Sequence, residues 1–399
     1  MTPILGFLLV LTAAFLGSVL VFPRINHKNP IVSGLAVSGI PYILIGVLLG
    51  PRVFGFLNEK ILFSLEPLIS LSLGWAGMLF GIHLRWRNIK RFPANYTLFS
   101  AVQGLIAFVI IGGICLVAYS NLWNEAPRHI LEVSLVFAAL GCNTTPITIA
   151  RAVVMHKASG RLTHLMQFVS GLDGFWGIFF AGITFALFNP LVSNWITSNW
   201  QWLLLNVLLG ILIGLAFVFL VRSKFERDEL TLLVIGLVVF ASGVGFYLRL
   251  SPIFLNMIVG IVIAQFRREA EKTVRVLGYA ETPIYLFLLL FAGALWNINF
   301  FSEVAFIGVF IGARFLGKYL GGWISAKTID CSFPIPGDVG SMLLSFGGIS
   351  LAIALNYQLF YGGTPGNLVI SAAIIGIIVF DEFAAWLIPR VLKRHGEII

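Results

Sequence analysis

The chain has 399 residues, 59% of them hydrophobic and 11% charged, with a net charge of +9 at pH 7. Soluble domains carry about 25% charged residues, so the composition excludes a soluble enzyme and places the chain in a bilayer. The 3 cysteines, Cys115, Cys142 and Cys331, lie far apart and without metal spacing, so neither a disulfide framework nor a zinc site is read.

Thirteen apolar segments follow in order: about 2–22, 30–50, 61–83, 97–119, 129–153, 162–188, 198–221, 229–247, 251–266, 282–297, 303–325, 338–360 and 366–389. A span needs about 20 apolar residues, so segments 9 and 10 are short. The first run has no basic residue ahead of it and continues to Phe22, the pattern of a retained helix rather than a cleaved signal. Only residues 390–399 follow the last segment, so no soluble C-terminal domain is expected.

The basic residues alternate with the segments. Arg85, Arg87, Lys90 and Arg91 follow segment 3, and Arg267, Arg268, Lys272 and Arg275 follow segment 9; only Arg52, Lys60, Arg128 and Arg249 follow even-numbered segments. The positive-inside rule puts the N-terminus outside and the C-terminus in the cytoplasm of a multi-pass protein of the cytoplasmic membrane. The net charge is therefore a topology signal facing anionic headgroups, and nucleic acid is not a partner.

Segments 3 and 10 share a pattern. Pro67 through Gly77 and Pro283 through Gly293 both read Pro-x9-Gly within Ala-Gly-x-Leu, each after a glutamate, Glu66 and Glu281. Pro41 with Gly50 and Pro252 with Gly260 match segments 2 and 9 more loosely. The offset is seven segments. An odd offset turns one copy over, which is an inverted repeat. Segment 5 then corresponds to segment 12, and each carries an interruption: Asn143-Thr144-Thr145-Pro146 in one, Gly347-Gly348-Ile349-Ser350 in the other. Broken backbone exposes half-helix ends that can hold charge; the alternative is a proline kink and glycine packing.

Asp173 lies in segment 6, ~16 Å from where that segment starts and ~18 Å from Arg161. A carboxylate at that depth normally marks an ion or proton path; the alternative is a protonated aspartate satisfied by a neighbouring helix. Gln167 and Ser170 share its face by helical spacing and could line such a path. Segment 11 supplies Arg314 and Lys318 one turn apart, Lys318 ~13 Å in from Lys327. The depths of Asp173 and Lys318 agree within about a turn, so an ion pair fits; snorkelling is the alternative, more readily for Lys318. Asp381 and Glu382 read as structural residues near the cytoplasmic interface. No nucleophile–base pair or metal cluster is visible at membrane depth, so an enzyme is not read and no cofactor is expected.

The order of Gly39-Ile40-Pro41 through Gly50-Pro51, Thr144-Thr145-Pro146, Asp173, Leu316-Gly317-Lys318-x-x-Gly321 and the glycine-rich segment 12 resembles the monovalent cation/proton antiporter superfamily, over essentially the whole chain. The resemblance implies an all-α integral membrane fold of about 13 transmembrane helices, an inverted repeat and two discontinuous crossing helices, segments 5 and 12. It implies core helices in 97–188 and 303–389, scaffold and dimerisation helices in 1–83 and further scaffold helices in 198–297, and a homodimer. It implies exchange of a monovalent cation, Na+ or K+, for H+ by alternating access, with Asp173, Lys318, Asn143, Thr144, Thr145 and Ser170 binding or coupling and Arg314, Gln167, Gly347, Gly348 and Ser350 supporting. The only metal implied is the transported cation. Members of the superfamily usually carry Asp-Asp or Asn-Asp on segment 6; here Leu172 and Gly174 flank Asp173. Either the second carboxylate or the asparagine is replaced. The alternative reading is therefore a transporter of the same fold for another solute, an anion or small organic ion, served by Lys318 and Arg314.

Overall fold

A computed structural model describes residues 39–191, 198–221, 227–297 and 301–398, with Gly6, Leu8, Val10 and Thr12 ahead of them. Apart from those four residues, segment 1 lies outside the described residues, as does the start of segment 2. Among the described residues every regular element is helical. In chain order they are α1 Ile40–Leu49, α2 Glu59–Ser64, α3 Glu66–His83, α4 Trp86–Ile89, α5 Ala94–Leu122, α6 Pro127–Cys142, α7 Pro146–Met155, α8 Arg161–Leu187, α9 Asn199–Val221, α10 Arg227–Tyr247, α11 Pro252–Ala264, α12 Arg267–Leu295, α13 Phe301–Thr328, a 3-10 turn Val339–Leu343, α14 Gly348–Tyr361 and α15 Gly363–Arg394. Proline stands in the first turn of α1, α3, α6, α7 and α11, where its missing N–H would be unpaired in any case. Among the described residues 8 stretches are long and apolar enough to cross a membrane, with α6 and α7 counted together as one.

Three segments differ from the sequence reading. The short segment 282–297 is the end of α12, which starts at Arg267. Ala270, Thr273, Val276 and Leu277 are buried on one face of its charged first half, and Arg267 pairs with Glu271 at 2.9 Å on the other. The charges that suggested a loop are the outer face of an amphipathic helix. Segment 61–83 is split at Leu65 into α2 and α3. Segment 366–389 is longer at both ends, running as α15 from Gly363 to Arg394.

The chain forms two compact units. The first comprises Met1–Ile89, Gly182–Trp296 and Leu355–Gly366. Its helices approach backbone to backbone at glycines. A Cβ on Gly77 or Gly81 of α3 would stand 2.1 Å from the carbonyls of Ile253 or Met257 in α11, and one on Gly293 of α12 would stand 2.1 Å from that of Ile43 in α1. Gly77 and Gly293, matched in the sequence, thus make the same kind of contact. A methyl at either would force the backbones apart.

The second unit comprises Lys90–Ala181, Asn297–Ala354 and Asn367–Ile399. Here α13 lies tight on α5: a Cβ on Gly321 would meet the Gln103 carbonyl at 2.8 Å and one on Gly317 the Ala107 carbonyl at 3.2 Å. This grip fixes α13, and with it Arg314 and Lys318. An apolar cluster of Tyr96, Phe99, Leu165, Met166, Val169, Met342, Leu343 and Leu392 packs within the same unit.

Candidate ion-exchange site

The site lies inside the second unit, where two interrupted helices meet. After Cys142 the chain leaves α6 in extended conformation at Asn143 and Thr145, and Pro146 starts α7. Ahead of α14, the 3-10 turn gives way to irregular backbone at 344–347. The two interruptions bond to each other. Thr145 N–H donates to the Ser345 carbonyl at 3.4 Å, and Ser345 Oγ to the Thr145 carbonyl at 2.9 Å. Thr144 Oγ1 donates to the Leu343 carbonyl at 2.8 Å, and Asn143 Nδ2 to Ser350 Oγ at 2.8 Å. Gly347 allows this closeness, because a Cβ there would fall 2.1 Å from Thr145 Oγ1.

Half-helix ends carry partial charge, and here the negative ends meet cations. Arg314, wholly buried, donates from Nη1 to the Leu344 carbonyl at 2.5 Å and from Nη2 to the Asn143 and Ser345 carbonyls at 2.9 Å each. Its guanidinium lies 4.4 Å from the ring centre of Phe346 and 4.3 Å from that of Phe380. Lys318 Nζ, also wholly buried, bonds the Cys142 carbonyl, Thr144 Oγ1 at 2.8 Å and Asp173 Oδ2 at 2.7 Å. The positive end meets a carboxylate: Phe346 N–H, just ahead of α14, donates to Asp381 Oδ1 at 2.9 Å.

Two acceptors at this centre are buried and without a hydrogen-bond partner among the described residues, Asp173 Oδ1 and Asn143 Oδ1. Asn143 packs on α8 one turn from Asp173, where a Cβ on Gly177 would lie 3.1 Å from Asn143 Cβ. An unpaired buried carboxylate oxygen is costly, and a cation or a proton would satisfy it.

The sequence profile of the family described as "sodium/hydrogen exchanger, transmembrane" matches residues 10–393. The chain belongs to this sodium/hydrogen exchanger family. The fold of the exchanger is also similar to that of the sodium proton antiporter MjNhaP1 from Methanocaldococcus jannaschii, with a TM-score of 0.68, 16% identity, and 98% of this chain and 99% of that chain covered. A search of curated proteins finds no match.

In this exchanger Asp173, Lys318, Thr144, Asn143, Ser350, Thr145 and Gly347 are brought together. Gln167 and Ser170 are not drawn into the bonded cluster: Gln167 is exposed, and Ser170 Oγ bonds back to the Gln167 carbonyl at 3.1 Å. Gly348, half-buried, starts α14. Neither basic residue snorkels; both are wholly enclosed. Arg314 spends its bonds on carbonyls rather than on Asp173. Sequence reading missed Asp381 as a partner of the α14 interruption. It lies as many residues from Arg390 as Lys318 does from Lys327, and depth counting would have found it.

Proposed function

We propose that this protein exchanges a monovalent cation, Na+ or K+, for H+ across the cytoplasmic membrane by alternating access around Asp173, as a homodimer with its N-terminus outside. The observation that carries the reading is the buried Asp173 carboxylate, with one oxygen on Lys318 and the other without a hydrogen-bond partner among the described residues. The incoming cation takes Asp173, displacing either the proton or the Lys318 amine. Thr144 Oγ1 and the Cys142 carbonyl, released by Lys318, complete an oxygen-rich setting suited to a hard cation. The inverted repeat and the basic-residue bias support the transport mode and orientation. MjNhaP1 is a sodium proton antiporter, so sodium is the first cation to test. Both terminal nitrogens of Arg314 are engaged by three carbonyls, and Nε has no hydrogen-bond partner among the described residues; the engaged fork argues against an anion as cargo.

One carboxylate holds one cation or one proton. With Lys318 charged throughout, each cycle swaps one for one and moves no net charge. Purified protein in liposomes, with an internal pH dye and the potential clamped at zero and then at ~100 mV, worth about 2.3 kcal/mol per charge, should show the same endpoint at both. An endpoint that shifts with potential refutes one-for-one exchange. Asp173→Asn should fold and show no cation-driven proton movement; normal turnover in that variant refutes the site.

A further inference from the structure

At the Arg161 end of α8, a short stretch from elsewhere in the second unit grips the helix that carries Asp173. α15 ends in a left-handed turn: Gly396 has φ 72°, and Glu397 N–H donates back to the Leu392 carbonyl at 3.0 Å, the Schellman arrangement that closes a helix and redirects the chain. The redirected Glu397 reaches the first turn of α8. Its carboxylate accepts from Leu162 N–H at 2.7 Å, and from Thr163 N–H and Thr163 Oγ1 at 2.6 Å each. Its carbonyl accepts from Ser159 N–H at 3.0 Å. Gly160 leaves room for this, since a Cβ there would fall 2.2 Å from Glu397 Oε1. A carboxylate at a helix N-terminus satisfies free amides and matches the helix dipole.

The same stretch holds a second element. Arg394 Nη1 pairs with Asp338 Oδ2 at 2.9 Å and His395 Nε2 with Asp338 Oδ1 at 3.1 Å. Asp338 immediately precedes the 3-10 turn, whose Leu343 carbonyl takes Thr144 and whose next carbonyl, Leu344, takes Arg314. Residues 394–397 therefore tie the Asp173 helix to the segment that forms the other side of the site. α8 is continuous from Arg161, so its first turn sets the depth of Asp173 ~15 Å further along.

We infer that Glu397 is a positioning residue for the exchange site, acting through α8, with Arg394 and His395 anchoring the same stretch on Asp338. The inference rests on Asp173 being the exchanging carboxylate. The other titratable or charged groups around the clasp are Arg161 and His164 in the first turn of α8, Tyr96 on α5, and Asp330 and Cys331 ahead of Asp338. Arg161 is bonded to the Ser332 carbonyl at 3.3 Å. A held clasp presents the site ready-made, whereas a slack one adds an ordering cost to cation binding.

The full-length protein in liposomes tests this with sodium, through the half-saturating concentration and the maximal rate separately. Arg394→Gln should raise the half-saturating concentration about threefold, the size an exposed charge pair carries, with maximal rate unchanged. Glu397→Gln should raise it as well, with maximal rate again unchanged. A separate readout needs no transport: hydrogen exchange at Leu162 and Thr163 should quicken about tenfold in Glu397→Gln, the order of a lost helix cap. Half-saturation unchanged in Glu397→Gln overturns the inference, as does unchanged hydrogen exchange at Leu162 and Thr163. Loss of exchange activity in every form, with those amides still protected by Glu397, would instead count against the role of Asp173.

Discussion

Replacing Arg314 by lysine keeps a positive charge at the same place and removes the planar fork. In the structure the fork serves three buried carbonyls, of Leu344, Asn143 and Ser345, and lies between the rings of Phe346 and Phe380. A lysine amine is one compact donor and can satisfy one of those carbonyls. Two buried carbonyls then lose their donor at about 1–3 kcal/mol each, and weaker stacking on two rings takes about 1 kcal/mol more. The sum, about 3–7 kcal/mol, is a large part of the ~5–15 kcal/mol that holds a typical domain. The expected result is a marked fall in the thermal midpoint of the purified variant, with exchange activity lost in step. If Arg314 were instead a charge partner of Asp173, Arg314→Lys would keep function. A parent-like thermal midpoint with intact exchange refutes the view that Arg314 is the strut joining the two interruptions.

Thr144→Val with Thr145→Val should raise the half-saturating cation concentration in the liposome assay, since Thr144 Oγ1 lies on the Lys318 amine and Thr145 at the joint with Ser345; an unchanged value makes the interruption a kink only. Gly347→Ala should lose activity and stability together, because its methyl would displace Thr145; wild-type transport refutes that packing. Single cysteines replacing Lys90 and Lys272, in a chain without Cys115, Cys142 and Cys331, should react with an impermeant reagent from the cytoplasmic side only, and reaction of either from outside overturns the orientation.

The parts of the fold legible in the sequence are those written as periodic or local signals. Apolar runs mark the helices, and the polar residues Asn143, Thr144 and Thr145 followed by a proline mark an interruption. Counting rise per residue from Arg161 and Lys327 brings Asp173 and Lys318 within about a turn of each other in depth, and the structure pairs them at 2.7 Å. What the sequence hides are bonds from side chains to distant backbone. Nothing in the pattern around Arg314 says that its donors go to carbonyls at 143, 344 and 345, or that Asp381 turns to Phe346 N–H. Carbonyls exist at every position and leave no trace in residue type. The first half of α12 was obscured differently: its charges cover one face only, and a reading by charge density stops the helix where a reading by face would continue it.

The joint between the two interruptions has a consequence for how the protein is made. Ser345 and Thr145 are 200 residues apart, Asn143 and Ser350 207, and Lys318 and Asp173 145. At ~5–20 residues per second of synthesis, about 10–40 s separate the emergence of Thr145 from that of Ser345. Throughout that interval the nascent first half carries an open polar gap, and for most of it a carboxylate without its lysine. Membrane insertion of α6–α8 therefore precedes the contacts that make them comfortable there, and the second half of the chain completes the first.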